Sequence, residues 1–225
     1  MGSGSRPCRK FRDLRRSDPG PRSGRCCRGS GRIPDHRGLD RNVGQLRAEG
    51  RDERLRYAPG RNLPPYAYLP GRDPHPTRHP DGHSFEREGG QREPPCDPPP
   101  VYLPPHQWAE NERYLFGVDL YNGGYLWEAH EAWEGLWHVS KLDKPQAQHL
   151  QGLIQCAAAC LKIAMGQPSG LARLTVLGTE KIERTALSDG PIYMGLDALE
   201  FVKRMRAFAA SNPKTHGGRP RLELS

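Results

Sequence analysis

The chain has 225 residues, of which 35% are hydrophobic and 27% are charged, with 23 prolines and 26 glycines. Typical soluble domains contain about 45–50% apolar residues, so this composition excludes one compact globule formed by the whole chain. The net charge of +8 arises in residues 1–100, which hold 21 lysines and arginines against 13 acidic residues. Residues 101–225 hold 13 of each sign and all four tryptophans. The composition also excludes a two-domain enzyme, a coiled coil and a membrane protein.

The first segment, residues 1–55, is a basic stretch rich in arginine and glycine. It has few apolar residues and no hydrophobic period, so we expect it to be disordered. Arginines neutralise phosphates, but Phe11 is the only aromatic residue before Tyr57, so nucleic-acid binding is not favoured. The same composition is typical of GC-rich DNA read upstream of the true start codon, and the sequence leaves that alternative open.

Residues 56–100 are predicted to be a proline-rich and histidine-rich strap followed by a linker over residues 86–100. The strap, residues 56–85, alternates prolines with aromatic residues, namely Tyr57, Tyr66, Tyr68 and Phe85. We expect an extended, largely polyproline II conformation without internal hydrogen bonds, with the rings lying against the helical domain. Three histidines recur at every fourth position, namely His75, His79 and His83. Because the prolines exclude a helix, turn and surface positions are favoured over a metal site.

After residue 100 the hydrophobic pattern changes to the 3.6-residue period of helices. It predicts five helices, over residues 106–121, 124–139, 145–165, 169–186 and 195–210. No alternating strand pattern competes with them. The helical domain, residues 101–212, is therefore predicted to be an all-α compact bundle, followed by a disordered tail over residues 213–225.

The cysteines and the apolar runs indicate the expected compartment. No run reaches the roughly 18 apolar residues that a membrane span needs, and no secretory signal is visible. Cys156 and Cys160 lie four residues apart on the third predicted helix, where we expect them to pack as small hydrophobic residues. A cytoplasmic, reduced protein fits this pattern best.

The second predicted helix contains the run GGYLWEAHEAWEGLWH. Its apolar stripe is predicted to be Leu126, Trp133 and Trp137. At about 100° per residue, His130 falls on the edge of this stripe, and Glu128 falls furthest from it. Glu134 lies about 40° round from His130, and Glu131 about 60° beyond Glu134. One imidazole and two carboxylates are therefore expected on neighbouring turns of a single helix.

An imidazole and a carboxylate at positions i and i+4 can hold a divalent cation such as zinc, manganese, iron or nickel. We predict His130 and Glu134 as metal ligands and Glu131 as the carboxylate that activates a metal-bound water. A third ligand is needed, and the spacing leaves it open. The candidates are His75, His79, His83, His106, Asp119, His138 and His149. The alternative, favoured by spacing alone, is a structural polar pair of His130 and Glu134 that pins the helix against its neighbours.

A second pair of polar side chains, Gln151 and Gln155, flanks the apolar face of the third predicted helix. Their amides could hydrogen-bond Glu131 or Glu134 and orient them. The alternative is a polar seam between helices. Gly152, between the two glutamines, would let two helix backbones approach closely.

The run NGGYLWEAHEAWEGLWH, followed by LQGLIQCAAACLK, resembles the domain-of-unknown-function 309 family of bacteria and archaea. The matching positions are Asn122, Gly124, Ala129, His130, Glu131, Glu134, Trp137, Gln151, Gly152 and Gln155. The resemblance covers roughly residues 110–185. The family is a small all-α fold whose members are often labelled predicted metal-dependent hydrolases. The resemblance implies that His130, Glu131 and Glu134 form the functional cluster, with Gln151, Gln155, Trp137 and Asn122 around it.

Two functions follow as expectations. The first is a divalent-metal-dependent hydrolase that uses the His-Glu-x-x-Glu helix on an unknown small-molecule substrate. The second is a non-catalytic helical module that binds a partner, or associates with itself as a homo-oligomer, through its tryptophan-rich face. Neither nucleic acid nor a membrane is expected as a partner.

Overall fold

A computed structural model describes residues 56–85 and 99–225 of the chain. In this part the helices are a 3-10 helix Pro105–Glu110, α1 Glu112–Gly123, α2 Leu126–Val139, α3 Lys144–Ala164, α4 Pro168–Asp189 and α5 Ala198–Ala210. The strands are β1 Ile192–Tyr193 and β2 Leu196–Asp197, which pair antiparallel. The predicted all-α bundle is confirmed. The disorder predicted for residues 1–55 and most of the predicted linker lie outside the described residues.

The first predicted helix, over residues 106–121, is two elements in the structure. The 3-10 helix ends at Glu110, and the side chain of Asn111 caps α1 by accepting a hydrogen bond from the backbone N–H of Tyr114, at 3.1 Å. Asparagine favours this position because its carbonyl satisfies a free N–H of the first turn. At the other end, Gly124 has a φ of 88°, a left-handed conformation that suits glycine and stops the helix.

The prediction that the domain has no strands was wrong at one place. A hairpin of two-residue strands lies between α4 and α5, with Met194 and Gly195 at its turn, both at positive φ. Asp197 then caps α5 by accepting a hydrogen bond from the backbone N–H of Glu200, at 3.0 Å. The fifth helix therefore begins at Ala198, three residues later than predicted.

The centre of the bundle is α3, which packs against both α2 and α4. It is buried on nearly all sides, as its apolar sequence predicted, and Cys156 and Cys160 are buried free thiols. Where α3 crosses α4, a Cβ atom on Gly152 would lie 2.9 Å from the backbone oxygen of Gly178 and 2.5 Å from Ile182 Cγ1. Gly152 therefore permits a close backbone approach, as predicted, and its partner is α4.

The strap lies against α1 and α2 and is held there by two buried carboxylates. Asp119 on α1 accepts hydrogen bonds from the backbone N–H groups of Tyr57 and Ala58, each at 2.9 Å. Glu128 on α2 accepts one from the backbone N–H of Tyr68, at 3.0 Å. Each helix thus supplies a carboxylate that accepts hydrogen bonds from backbone N–H groups of the strap, which these groups do not obtain from a sheet or a helix.

The strap is a succession of turns, so the predicted polyproline II conformation without internal hydrogen bonds was wrong. Its backbone closes on itself through hydrogen bonds such as those from His79 N to His75 O, at 3.2 Å, and from Gly82 N to His79 O, at 2.8 Å. Proline fixes φ at a value that occurs both in turns and in extended chains. Composition alone therefore did not distinguish a series of turns from a polyproline II segment.

Residues 213–225 were expected to be disordered, and the structure corrects this. Leu222 is buried, and its backbone N–H and C=O both bond to the side chain of Asn122, at 2.9 and 2.8 Å. Arg219 donates to the backbone oxygens of Tyr121 and Asn122 at the end of α1. Leu224 forms a β-bridge with Leu196 of the hairpin. Hydrogen bonds of the Asn122 and Arg219 side chains thus hold residues 213–225 against the bundle, although this segment carries little apolar surface. In the described residues, no helix is long and apolar enough to cross a membrane.

Candidate metal centre

The buried side of α2 fixes which residues can face solvent. Its core residues are Leu126, Ala129, Trp133 and Leu136, a stripe with helical spacing. The indole of Trp133 donates to the backbone oxygen of Tyr114, at 3.3 Å, which locks α2 against α1. Trp137 was predicted on this stripe but lies at its edge, half-buried, with the ammonium group of Lys141 4.9 Å from its ring centroid.

On the flank of that stripe, His130, Glu131 and Glu134 form the cluster that the spacing predicted. One ligand atom from each of the three lies within 4.8 Å of the others. The Nδ1 atom of His130 is 3.2 Å from Glu131 Oε1. The exposed fractions of the three side chains are 16%, 52% and 39%, so the imidazole is shielded and both carboxylates reach solvent. The ring of Trp127 stacks beside His130, with centroids 6.0 Å apart and planes at 29°.

The predicted candidates for a third ligand have different surroundings in the structure. His138, one turn further along α2, places its Nε2 atom 3.9 Å from Glu134 Oε1. Asp119 and His83 are engaged with the strap and with Glu128. His79 Nδ1 accepts from the backbone N–H of Asp81, and His106 is exposed on the 3-10 helix. In the described part of the chain, no group of three metal-ligating side chains other than this cluster converges.

His149, another candidate, lies in the core beside Tyr193 of the hairpin, with ring centroids 5.0 Å apart. Neither of its ring nitrogens has a hydrogen-bond partner among the described residues. Burial lowers the pKa of His149 to about 3, so the ring is neutral at physiological pH. It belongs to the interior of the bundle.

Glu128 was predicted to lie furthest from the apolar stripe, but it is buried beneath the strap. Its Oε1 atom accepts from the backbone N–H of Tyr68 and lies 3.1 Å from His83 Nε2. Burial raises the pKa of Glu128 above its usual range, and the hydrogen bonds from Tyr68 and His83 oppose that rise. The helical period of α2 could not predict this contact, because His83 of the strap lies 45 residues earlier in the chain.

The remaining predicted residues have other partners or none. Asn122 bonds to Leu222, so it anchors the C-terminal segment. Gln151 and Gln155 are half-buried on α3, and among the described residues no hydrogen bond joins either amide to Glu131 or Glu134. The buried Oε1 atom of Gln155 has no partner there. An orienting role for the two glutamines stays a prediction.

Comparison with known proteins gives one family match. The model of the family described as Domain of unknown function (DUF309) matches residues 114–174. No curated protein and no solved structure matches the chain significantly. The matched span contains all of α2 and α3, and therefore the whole cluster and both glutamines. The match supports the resemblance drawn from the two motifs, and it covers residues 114–174, about a quarter of the chain.

Proposed function

We propose that the protein is a divalent-metal-dependent hydrolase in which His130 and Glu134 hold the ion. The observation that supports this is the convergence of one imidazole nitrogen and two carboxylate oxygens within 4.8 Å. A set of nitrogen and oxygen donors fits zinc, manganese, iron or nickel. The exposure of both carboxylates leaves room for an ion, water and a substrate at the same surface.

A divalent cation held there would supply a Lewis acid and lower the pKa of a bound water. Glu131 is the proposed general base, because its carboxylate is half-exposed and adjacent to both ligands. Stacking on Trp127 restricts the plane of the His130 ring. His138 is the proposed third ligand, because its Nε2 atom lies 3.9 Å from Glu134 Oε1.

Metal content tests the ligands. Native protein is exchanged with zinc, manganese, iron or nickel, freed of excess ion and measured by elemental mass spectrometry. We expect about one ion per chain in the wild type and a loss of at least about tenfold in occupancy in His130→Ala and Glu134→Gln. His106→Ala removes an exposed histidine outside the cluster and is the matched control. Equal metal content in the wild type, His130→Ala and Glu134→Gln would overturn the proposed site.

The role of Glu131 is tested separately. Glu131→Gln keeps an oxygen in the cluster but removes the base, so we expect bound metal to be retained. The EDTA-sensitive part of the turnover of a panel of chromogenic phosphate, ester and amide substrates should fall by about 10²–10⁴-fold. A substrate whose EDTA-sensitive hydrolysis is equally fast in the wild type and in Glu131→Gln would refute the assignment of Glu131 as base.

A helical interaction module is the second candidate, and one observation favours it. The end of α2 and the turn after it expose apolar side chains, with Val139 37% exposed and Leu142 fully exposed. Contiguous apolar surface is typical of contact sites, and these two side chains lie close together in the sequence. Light scattering on the full chain tests it: association that Leu142→Ser abolishes, while metal content stays unchanged, would support the module. A monomer in both proteins would exclude self-association through this surface.

A further inference from the structure

Where the strap covers α2, three side chains outside the metal cluster form a hydrogen-bonded relay. The hydroxyl Oγ of Ser84 lies 2.9 Å from His83 Nδ1, and His83 Nε2 lies 3.1 Å from Glu128 Oε1. The imidazole and the carboxylate are nearly sealed from solvent, with side-chain exposures of 8% and 7%. Ser84 is exposed. A hydroxyl at the surface is thus linked through a buried base to a buried acid.

The hydrogen bonds to Glu128 assign the proton on the His83 ring. Glu128 Oε1 accepts from the backbone N–H of Tyr68, and an ionised carboxylate can only accept, so it accepts from the imidazole as well. With Glu128 ionised, His83 Nε2 carries the hydrogen and donates it to Glu128. In a neutral ring the other nitrogen, Nδ1, is then an acceptor, and Ser84 Oγ donates to it. This is the direction of donation that a general base for the hydroxyl requires.

The His83 ring is also held in place by Tyr66. The two rings meet edge to face with centroids 4.8 Å apart, and the backbone N–H of His83 donates to the Tyr66 hydroxyl, at 3.3 Å. Tyr66 in turn donates to the backbone oxygen of Pro74, at 2.8 Å. These contacts restrict the imidazole from a second side, so its alignment with Ser84 and Glu128 does not depend on one hydrogen bond.

We propose that Ser84 is a nucleophile toward activated esters, with His83 as its general base and Glu128 as a positioning residue. Ser84 Oγ forms a bond to the ester carbonyl carbon while its proton passes to His83 Nδ1. Collapse of the tetrahedral adduct breaks the bond to the leaving alkoxide or phenolate, which takes up the proton from His83. Water then attacks the acyl-serine, gives its proton to Nδ1, and releases the acid as Ser84 regains its hydrogen.

The class of substrate follows from the backbone around Ser84. The N–H of Ser84 donates to Pro76 O, at 2.9 Å, and the N–H of Phe85 donates to Gly82 O, at 3.0 Å. Neither can therefore stabilise a developing oxyanion. Without that stabilisation, the relay suits aryl esters and other substrates whose leaving groups depart readily, and it does not suit amides.

The test uses the full chain with a fluorophosphonate probe, which forms a covalent adduct with activated serines. Intact mass and peptide mapping should show one adduct, at Ser84, which Ser84→Ala removes. Ser211→Ala is the matched control, because Ser211 is exposed and its hydroxyl donates to a backbone oxygen, that of Phe208. Labelling should persist in the chelator EDTA, which separates this relay from the metal cluster. No adduct at Ser84, or equal labelling of Ser84 and Ser211, would overturn the proposal.

The positioning role of Glu128 is tested by a measurement that would not change if Glu128 only stabilised the fold. Nitrogen NMR of the His83 ring should show hydrogen on Nε2 and a bare Nδ1 in the wild type. In Glu128→Gln, which keeps an oxygen at this position, we expect that preference to weaken and labelling of Ser84 to slow at least tenfold. His83→Gln removes the base and should slow labelling as much. A ring with hydrogen on Nδ1, or unchanged labelling in His83→Gln, would contradict the relay.

Discussion

His149 shows how burial alone can make one residue sensitive to pH. Its ring lies in the core with no partner for either nitrogen among the described residues, and burial lowers its pKa to about 3. In the unfolded chain the pKa of histidine is about 6.5. Between these two values the unfolded state binds a proton that the folded state does not, so the free energy of unfolding falls as the pH falls.

This predicts a measurable loss of stability in mild acid. From pH 6 to pH 4, we expect His149 to lower the free energy of unfolding of the wild type by up to about 1.4 kcal/mol per pH unit. His149→Leu removes the titrating ring and should flatten this part of the dependence. His106→Ala, at an exposed histidine, should retain it. Urea unfolding at several pH values measures all three, and parallel curves for the wild type and His149→Leu would refute the prediction.

At the scale of elements, the crossing of α3 and α4 depends on glycine at the point of contact. A side chain at Gly152 would meet Ile182 and the backbone of Gly178 within 3 Å, and backbone cannot move aside as a flexible side chain can. The two central helices therefore touch through their backbones, which brings Cys156 into the same interface.

Gly152→Ala should consequently destabilise the fold by roughly 1–3 kcal/mol, the usual cost of overpacking a core. Gly60→Ala is the matched control, because nothing lies within 4 Å of a Cβ atom there. Urea unfolding of both variants measures the difference. A Gly152→Ala protein as stable as the control would show that the helices separate at little cost.

Helices with a long hydrophobic period were predictable from the sequence. The third helix was predicted over residues 145–165 and is Lys144–Ala164, because its burial repeats over many turns. The hairpin was not predictable, because strands of two residues are too short to show an alternating pattern. The cap at Asn111, which separates the 3-10 helix from α1, was not predictable either, because the periodic pattern continues across it.

At the scale of the whole molecule, the strap and the C-terminal segment close over the ends of α1 and α2. Asn122 is central to this closure, because its side chain pairs with both backbone groups of Leu222. The Asn122 amide thus takes the place of the backbone groups that a neighbouring strand would offer to Leu222. If the side-chain amide of Asn122 is removed, the backbone N–H and the backbone C=O of Leu222 both lose their hydrogen-bond partner.

Asn122→Ala should therefore loosen the C-terminal segment and lower the free energy of unfolding by roughly 1–3 kcal/mol. Hydrogen exchange at the backbone amide of Leu222 should speed up, while amides in the middle of α3 change less. Asn62→Ala, at an exposed asparagine of the strap, serves as the control. Unchanged exchange at Leu222 would show that burial of its side chain is sufficient to hold the segment.

The convergence of one imidazole and two carboxylates on α2 was predictable because it is local. His130, Glu131 and Glu134 lie on successive turns of one helix, and helical geometry alone brings their ligand atoms together. The burial of Glu128 was not predictable, because it depends on a distant segment that bonds to it. The same holds for Asn122, whose partner lies 100 residues later.

One contact ties together the two outermost described segments of the chain. Tyr57 accepts a hydrogen bond at its hydroxyl from the backbone N–H of Leu224, at 2.8 Å, and the next amide, of Ser225, donates to Gly195 O, at 2.9 Å. Removal of Leu224 and Ser225 would eliminate both donors at once. Their loss would separate the C-terminal segment from Tyr57 of the strap and from the turn of the hairpin.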